Sequence, residues 1–261
     1  MDDMAADAYL ERIGAARPEA ADEGALSALH LRHLRTVPFE NLAIHLGEEI
    51  VLAEKPLLDK IVGARRGGFC YELNGAFAGL LRALGYEVEL LSARVFGAEG
   101  RLGIPYDHLA LRVHTPSGPW LADVGFGRNS HFPLRWDSRE EQADPGGTFQ
   151  LEETAEGDVD VLRDGSPQYR IEQRPRALAD FEVGCWWNRT SPTSHFTQSL
   201  VCSRLTETGR ITLSGRTLVI TGADGAREQR ELAADEVLAA YREHFGVVVD
   251  REPVVGAAVA G

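Results

Sequence analysis

The segment RRGGFCYELNG places one cysteine, Cys70, at the start of a predicted helix. A thiol in the first turn of a helix faces free backbone N–H groups and the positive end of the helix dipole, and both favour the thiolate. Gly67 and Gly68 remove side chains where another molecule would approach and allow a tight turn into the helix. Judged by position alone, however, an inert buried thiol is the more common interpretation, because free cysteine is among the most buried residue types.

A base and a carboxylate follow this cysteine along the chain. His108 lies at the start of a predicted strand in PYDHLALRV, and Asp123 lies at the end of the next one in WLADVGFG. Antiparallel pairing of these strands across the TPSG turn would bring the two side chains together. The carboxylate would then fix the imidazole tautomer, and the imidazole would accept the sulfur proton. The spacing allows a Cys70–His108–Asp123 triad for nucleophilic catalysis but does not by itself require one.

The elements that would position these residues change type near Tyr86. Before it, apolar residues at helical spacing predict a helix in LSALHLRHLRTV that ends at Pro38, a second opened by Pro56 and a third in CYELNGAFAGLLRALGY. After it, short apolar runs such as HLALRVHT predict antiparallel strands of a small barrel or curved sheet, and RITLSGRTLVITGADG predicts a hairpin. A last helix is predicted in ELAADEVLAAYREHFG, with Leu232 on its apolar face.

Composition narrows the class of protein. The 261 residues carry 27 Lys and Arg against 40 Asp and Glu, a formal net charge of −13, which argues against nucleic acid and anionic membranes as partners. Three distant cysteines and histidines without metal-binding spacing predict neither a disulfide framework nor a metal site. The chain also lacks a secretory signal and a long apolar stretch, so we expect a soluble enzyme or binding protein in the reducing cytoplasm.

Several motifs carry a family resemblance. In chain order, VPFENL, RRGGFCYELNGAF, DHLALRV, WLADVGFG and SPTSHFTQSLV resemble the arylamine N-acetyltransferase family. The similarity runs from AYLERIG to EHFG, nearly the whole chain. Its central motif, R-G-G-x-C-x-E-x-N, is matched by Arg66, Gly67, Gly68, Cys70, Glu72 and Asn74.

The resemblance implies an α+β fold with a cysteine-protease-like catalytic core. An N-terminal helical domain over residues 1–85 would carry the nucleophile. A central antiparallel β-barrel over 86–185 would carry the histidine and aspartate, and a C-terminal α/β lid would occupy 186–261. The helices and strands predicted from the residues follow the same order.

The resemblance also implies a reaction and a set of site residues. Acetyl-CoA is the expected acyl donor, an arylamine or hydrazine is the expected acceptor, and no metal is expected. The acyl group would pass through an acyl-cysteine in a two-step, ping-pong transfer. The expected residues are Cys70, His108 and Asp123 for catalysis; Phe39, Val95 and Phe126 for the acceptor; and Gly125, Gly127 and Arg128 for the coenzyme.

Two further features bear on this assignment. Arg128 stands where small residues are frequent in the family, so the coenzyme-facing surface is where the chain departs from the common pattern. Glu40 with Arg65 or Arg66 is expected to form a buried, stabilising ion pair.

Other functions stay open. An amide synthase would take a polyketide acyl chain from an acyl carrier protein and close a macrolactam, and the same triad would serve it. A thiol peptidase or transglutaminase-like hydrolase also combines a helix-borne cysteine with a strand-borne histidine. A non-catalytic binding module is the last alternative, and the intact Cys70, His108 and Asp123 set weighs against it.

Overall fold

The computed structural model describes residues 1–256. The helices within this range are α1 (Asp3–Ile13), α2 (Glu23–Thr36), α3 (Leu42–Leu46), α4 (Glu54–Leu58), α5 (Cys70–Ala83), α6 (Glu182–Thr190), α7 (His195–Gln198) and α8 (Val237–Phe245). The strands are β1 (Phe39–Glu40), β2 (Glu87–Val95), β3 (His108–Thr115), β4 (Gly118–Ala122), β5 (Leu134–Arg135), β6 (Gln142–Asp144), β7 (Gly147–Glu153), β8 (Val159–Arg163), β9 (Ser166–Arg176), β10 (Val201–Thr206), β11 (Gly209–Ser214), β12 (Thr217–Gly222) and β13 (Arg227–Glu231). Across residues 1–256, every helix is too short or too polar to span a bilayer.

Helix α5 forms the centre of the N-terminal helices. Its apolar stripe, which includes Phe77, Leu80 and Leu81, is fully buried. The helix begins at Cys70, as predicted, and its end is followed by Gly85 at φ +92°, a conformation that glycine adopts without the steric cost other residues have. This packing fixes the direction in which the first turn of α5 points.

The central strands form one eight-stranded antiparallel sheet in the order β5-β4-β3-β2-β9-β8-β7-β6. The sheet curves into a nearly closed barrel. The side-chain amide of Gln142 joins its two edge strands, since it accepts from the Arg135 backbone N–H at 2.7 Å and donates to the Arg135 carbonyl at 3.1 Å. The predicted α+β fold with a central antiparallel barrel is therefore confirmed.

A second antiparallel sheet has the order β1-β10-β11-β12-β13. Its edge strand β1 comes from the N-terminal part of the chain, where Phe39 and Glu40 pair with Ser203 and Cys202 of β10. Helix α8 covers this sheet with buried apolar side chains. The expected domain division at residues 85 and 185 stays a prediction, and α6 runs across the second of these positions.

The last helix begins later in the chain than predicted. Helix α8 begins at Val237, and Leu232, which we placed on its apolar face, precedes it. Leu232 is nevertheless buried, because it contributes to the core between α8 and the second sheet. The residues before it form β13, whose side chains are all exposed and give no strand pattern.

Candidate active site

Cys70 lies at the wall of a cavity of about 1820 Å³ between the helices, the barrel and the second sheet. Its side chain is only 3% exposed, and its sulfur lies 4.0 Å from the backbone oxygen of Asp107. Packing within the protein already accounts for glycine at position 67. A Cβ at Gly67 would lie 1.9 Å from the carbonyl oxygen of Pro38, so the close neighbour is the protein's own backbone.

His108 and Asp123 lie side by side on antiparallel strands. His108 is the first residue of β3, and Asp123 directly follows β4, its neighbour in the sheet. The His108 Nε2 and Asp123 Oδ2 atoms are 2.8 Å apart, and both side chains are buried. Because Nε2 is directed at the carboxylate, Nδ1 is the ring nitrogen left for a second partner.

Asn74 connects the helix of the cysteine to the strands of the other two residues. Its Nδ2 atom donates to Asp123 Oδ1 at 2.8 Å and to the Leu109 carbonyl at 2.6 Å, while its Oδ1 accepts from the Val124 backbone N–H at 2.9 Å. Asn74 is fully buried. Asn74 belongs to the R-G-G-x-C-x-E-x-N motif, which by itself indicates no role for it; in the structure it links α5 to the barrel.

His30 supports Asp123 from the other side. Its Nδ1 donates to the carbonyl oxygen of His131 at 2.9 Å, and its Nε2 accepts from the Asp123 backbone N–H at 3.2 Å. Burial lowers the pKa of His30, so the neutral imidazole that this pattern requires is the favoured form. Sequence spacing offered no signal for this contact, since the two residues lie 93 positions apart.

Burial makes the surroundings of Cys70 less favourable for a thiolate than its position at a helix N-terminus suggests. Burial raises the pKa of the Cys70 thiol well above its usual range, and the nearby Asp107 and Asp123 carboxylates add to the rise. Burial therefore opposes the ionisation that the position of Cys70 at a helix N-terminus favours. Burial also acts to raise the pKa of Asp123, but His108, Asn74 and an amide N–H outweigh it and keep that pKa below its ordinary value. The carboxylate is thus ionised beside a thiol that needs a base.

Phe126 lines the cavity beside His108, and the fully buried Tyr169 packs against the rings of both residues. The ring of Phe126 lies 5.2 Å from that of His108 and 4.8 Å from that of Tyr169, measured between centroids. Phe39 and Val95 line the same cavity, so the structure brings together all three residues predicted to contact the acceptor. Their part in binding stays a prediction.

The residues predicted to face the coenzyme also border the cavity. A Cβ at Gly125 would lie 2.7 Å from Cys70 Cα, so packing against α5 already requires glycine there. Gly127 has φ +79°, again a backbone conformation that favours glycine. Arg128 follows with an exposed side chain. A coenzyme contact is not needed to account for either glycine.

The predicted buried ion pair forms between Glu40 and Arg66, with Oε1 and Nε 3.0 Å apart. Arg66 also pairs with the partly exposed Glu48 at 3.0 Å. Arg65 has φ +51° and offers its backbone oxygen to Arg12. Among residues 1–256, no group of three or more His, Cys, Asp or Glu side chains is arranged to hold a metal ion.

Comparisons with known proteins agree on one family. Residues 23–254 match the family described as N-acetyltransferase. An arylamine N-acetyltransferase of Escherichia coli (strain K12) is 36% identical over 250 residues, covering 93% of this chain and 88% of that protein. The M. smegmatis arylamine N-acetyltransferase structure superposes with a TM-score of 0.87 at 34% identity, covering 97% and 98% of the two chains. The Mycobacterium marinum enzyme in complex with CoA superposes with a TM-score of 0.84 at 30% identity, covering 92% of each chain.

Proposed function

Because this chain belongs to the arylamine N-acetyltransferase family, we propose that it moves an acetyl group from acetyl-CoA to the nitrogen of an arylamine or hydrazine through an acetyl-cysteine at Cys70. The observation that carries the proposal is the 2.8 Å contact between His108 and Asp123 on the wall of the cavity that also contains Cys70. The complex of a solved relative with CoA supports the choice of donor.

In the first step, the proton of the Cys70 thiol passes to His108, and the sulfur attacks the carbonyl carbon of the thioester. The bond between that carbon and the CoA sulfur breaks, and the CoA sulfur leaves with the proton from His108. Asp123 keeps the imidazole in one tautomer and stabilises its protonated form. One thioester replaces another, so the intermediate needs no further energy source.

In the second step, the amine nitrogen attacks the acetyl carbon and gives its proton to His108. The bond from that carbon to the Cys70 sulfur breaks, and the proton returns to the sulfur. Water must be kept from the acetyl-cysteine, or hydrolysis would compete with transfer. Phe126, which lines the cavity and packs against the rings of His108 and the buried Tyr169, supports this requirement.

The size of the cavity favours one second candidate. Its volume of about 1820 Å³ exceeds the ~300–1,000 Å³ of common small-ligand pockets. A long polyketide chain delivered by an acyl carrier protein would also need such space, as would the whole of acetyl-CoA. An amide synthase that closes a macrolactam is therefore the alternative function.

Initial-rate kinetics test the proposal. Purified protein with acetyl-CoA and simple anilines or hydrazines is expected to turn over, with the parallel double-reciprocal lines of a ping-pong reaction. Intersecting lines would contradict the covalent intermediate. Turnover only with a carrier-protein thioester would instead support the amide synthase. Release of acid with no amine requirement would support a thiol hydrolase.

A further inference from the structure

Among the described residues, seven arginines line the cavity, and four of them come from separate parts of the chain near His131. We call these four the arginine cluster; its members are Arg35 of α2, Arg128 after β4, Arg163 of β8 and Arg210 of β11. Arg163 Nη1 donates to the backbone oxygen of Arg128 at 3.4 Å. Burial, together with the charges of Arg128 and Arg163, lowers the pKa of Arg210 to about 10. Arg210 is therefore close enough to Arg128 and Arg163 for their charges to repel it.

Carboxylates near the arginine cluster do not neutralise it. Within residues 1–256, only Arg163 of the cluster forms an ion pair, with the exposed Asp164 at 3.6 Å. Asp144 lies nearby, but its two oxygens accept from the backbone N–H groups of His131 and Phe132. In a chain of net charge −13, a group of cations with so few acidic partners is unusual.

Two N–H groups of the arginine cluster also lack a hydrogen-bond acceptor. The Nε atoms of Arg35 and Arg163 are buried without a hydrogen-bond partner in the part of the chain described. Arg210 has a hydroxyl contact, from its Nη1 to Ser203 Oγ at 3.1 Å. Buried N–H donors without an acceptor are costly, and an anion that accepts several hydrogen bonds at once would remove that cost. Phosphate is such an anion, because the guanidinium fork binds it in a bidentate manner.

We propose that the arginine cluster is a phosphate-binding site that holds the nucleotide end of acetyl-CoA while its thioester reaches Cys70. This inference rests on the proposed function. A phosphopantetheine arm on a carrier protein supplies the same chemistry with a single phosphodiester, whereas CoA carries a diphosphate and a further phosphate on its ribose. The four cations of the arginine cluster match CoA, which carries more phosphate groups than the phosphopantetheine arm. The site thus selects the free coenzyme thioester over the carrier-bound one.

A donor series tests the site. The donors are acetyl-CoA, acetyl-phosphopantetheine and acetyl-pantetheine, which share one thioester and differ in phosphate. Arg210→Gln is expected to lower kcat/KM for acetyl-CoA about tenfold, the effect of losing a hydrogen bond to a charged group, through a higher KM. Its kcat/KM for acetyl-pantetheine is expected to equal that of the wild type. Arg128→Gln, at an exposed position where folding is not at risk, is expected to shift KM in the same direction.

Arg139→Gln is the matched control, since Arg139 is a surface arginine paired with Glu153 outside the cavity. It is expected to leave all three donors unchanged. Equal losses with acetyl-CoA and acetyl-pantetheine in the cluster variants would overturn the proposal. The proposal would also be overturned if the variants lost as much kcat/KM with acetyl-phosphopantetheine as with acetyl-CoA. The cluster would then bind only the phosphate of the pantetheine arm. If no donor acetylated the wild type, the proposed function itself would fail.

Discussion

The sulfur of Cys70 lies where a lone thiolate is unfavourable, because burial and two carboxylates raise the pKa of the thiol. A thiolate beside an imidazolium carries no net charge, so the transfer of the proton to His108 avoids most of this penalty. The proposed mechanism therefore assigns the activation of the sulfur to its base and not to the helix dipole. Its reactivity should then depend on His108 more than on solvent pH.

Replacement of the base tests this dependence. The His108→Gln variant is expected to lose about 10²–10⁴-fold in acetyl transfer, the usual contribution of a general base. Alkylation of Cys70 by iodoacetamide, measured against pH, is expected to occur at neutral pH in the wild type. In the variant it should require alkaline pH, because the raised pKa then favours the thiol. Cys70→Ala corrects for labelling of Cys185 and Cys202, and unchanged labelling of the variant at neutral pH would contradict the account.

Part of the candidate site could be predicted from the types of individual residues. The proposed nucleophile, base and carboxylate belong to few residue types, and a short turn between two strands brings His108 and Asp123 together. The supports of Asp123 could not be predicted in this way. Asn74 and His30 act through hydrogen bonds across 49 and 93 positions of the chain, and nothing in an amide or imidazole indicates its distant partner.

At the scale of elements, periodic patterns predicted α5 and the strands around His108 well. They missed β13, a run of five exposed residues, and β1, which has only two residues. Neither element has a buried face long enough to produce a period. Strand β1 nonetheless matters for the site, because it joins the second sheet to the segment just before Cys70 through an isolated bridge from Phe39 to Gly68.

The ion pair of Glu40 with Arg66 lies at this junction. Glu40→Gln is expected to reduce the free energy of unfolding by about 3 kcal/mol, because it leaves a buried cation poorly paired. Glu48→Gln removes the exposed partner of the same arginine and should cost less than about 1 kcal/mol. Denaturant unfolding of both variants measures the difference. Equal losses would mean that burial of the pair does not matter.

The same pair predicts a pH dependence. Burial acts to raise the pKa of Glu40, but Lys60 and Arg66 outweigh it and leave that pKa below its ordinary value of about 4.3. A lowered pKa in the folded state contributes stability that is complete above the ordinary value and is lost as pH falls through the lowered one. The free energy of unfolding, measured from neutral to acidic pH, should therefore fall less steeply in Glu40→Gln. An identical slope in both proteins would exclude this contribution.

The cavity is formed by the molecule as a whole, because the helices, the barrel and the second sheet all contribute to its walls. The order of helical and barrel elements could be predicted from the sequence, but the arginine cluster could not. Its members lie on four elements or loops from Arg35 to Arg210, and they stand out only when the fold brings them together in an otherwise acidic protein.

An intact-mass spectrum of the wild type, taken after mixing with acetyl-CoA and no amine, shows whether Cys70 carries the acetyl group. We expect the mass of one added acetyl group, located by peptide mapping on Cys70 and removed when an arylamine is added. Cys70→Ala, shown to be folded by circular dichroism, is expected to gain nothing. Acetylation of an arylamine while Cys70 stays unmodified, or by the alanine variant, would contradict the account.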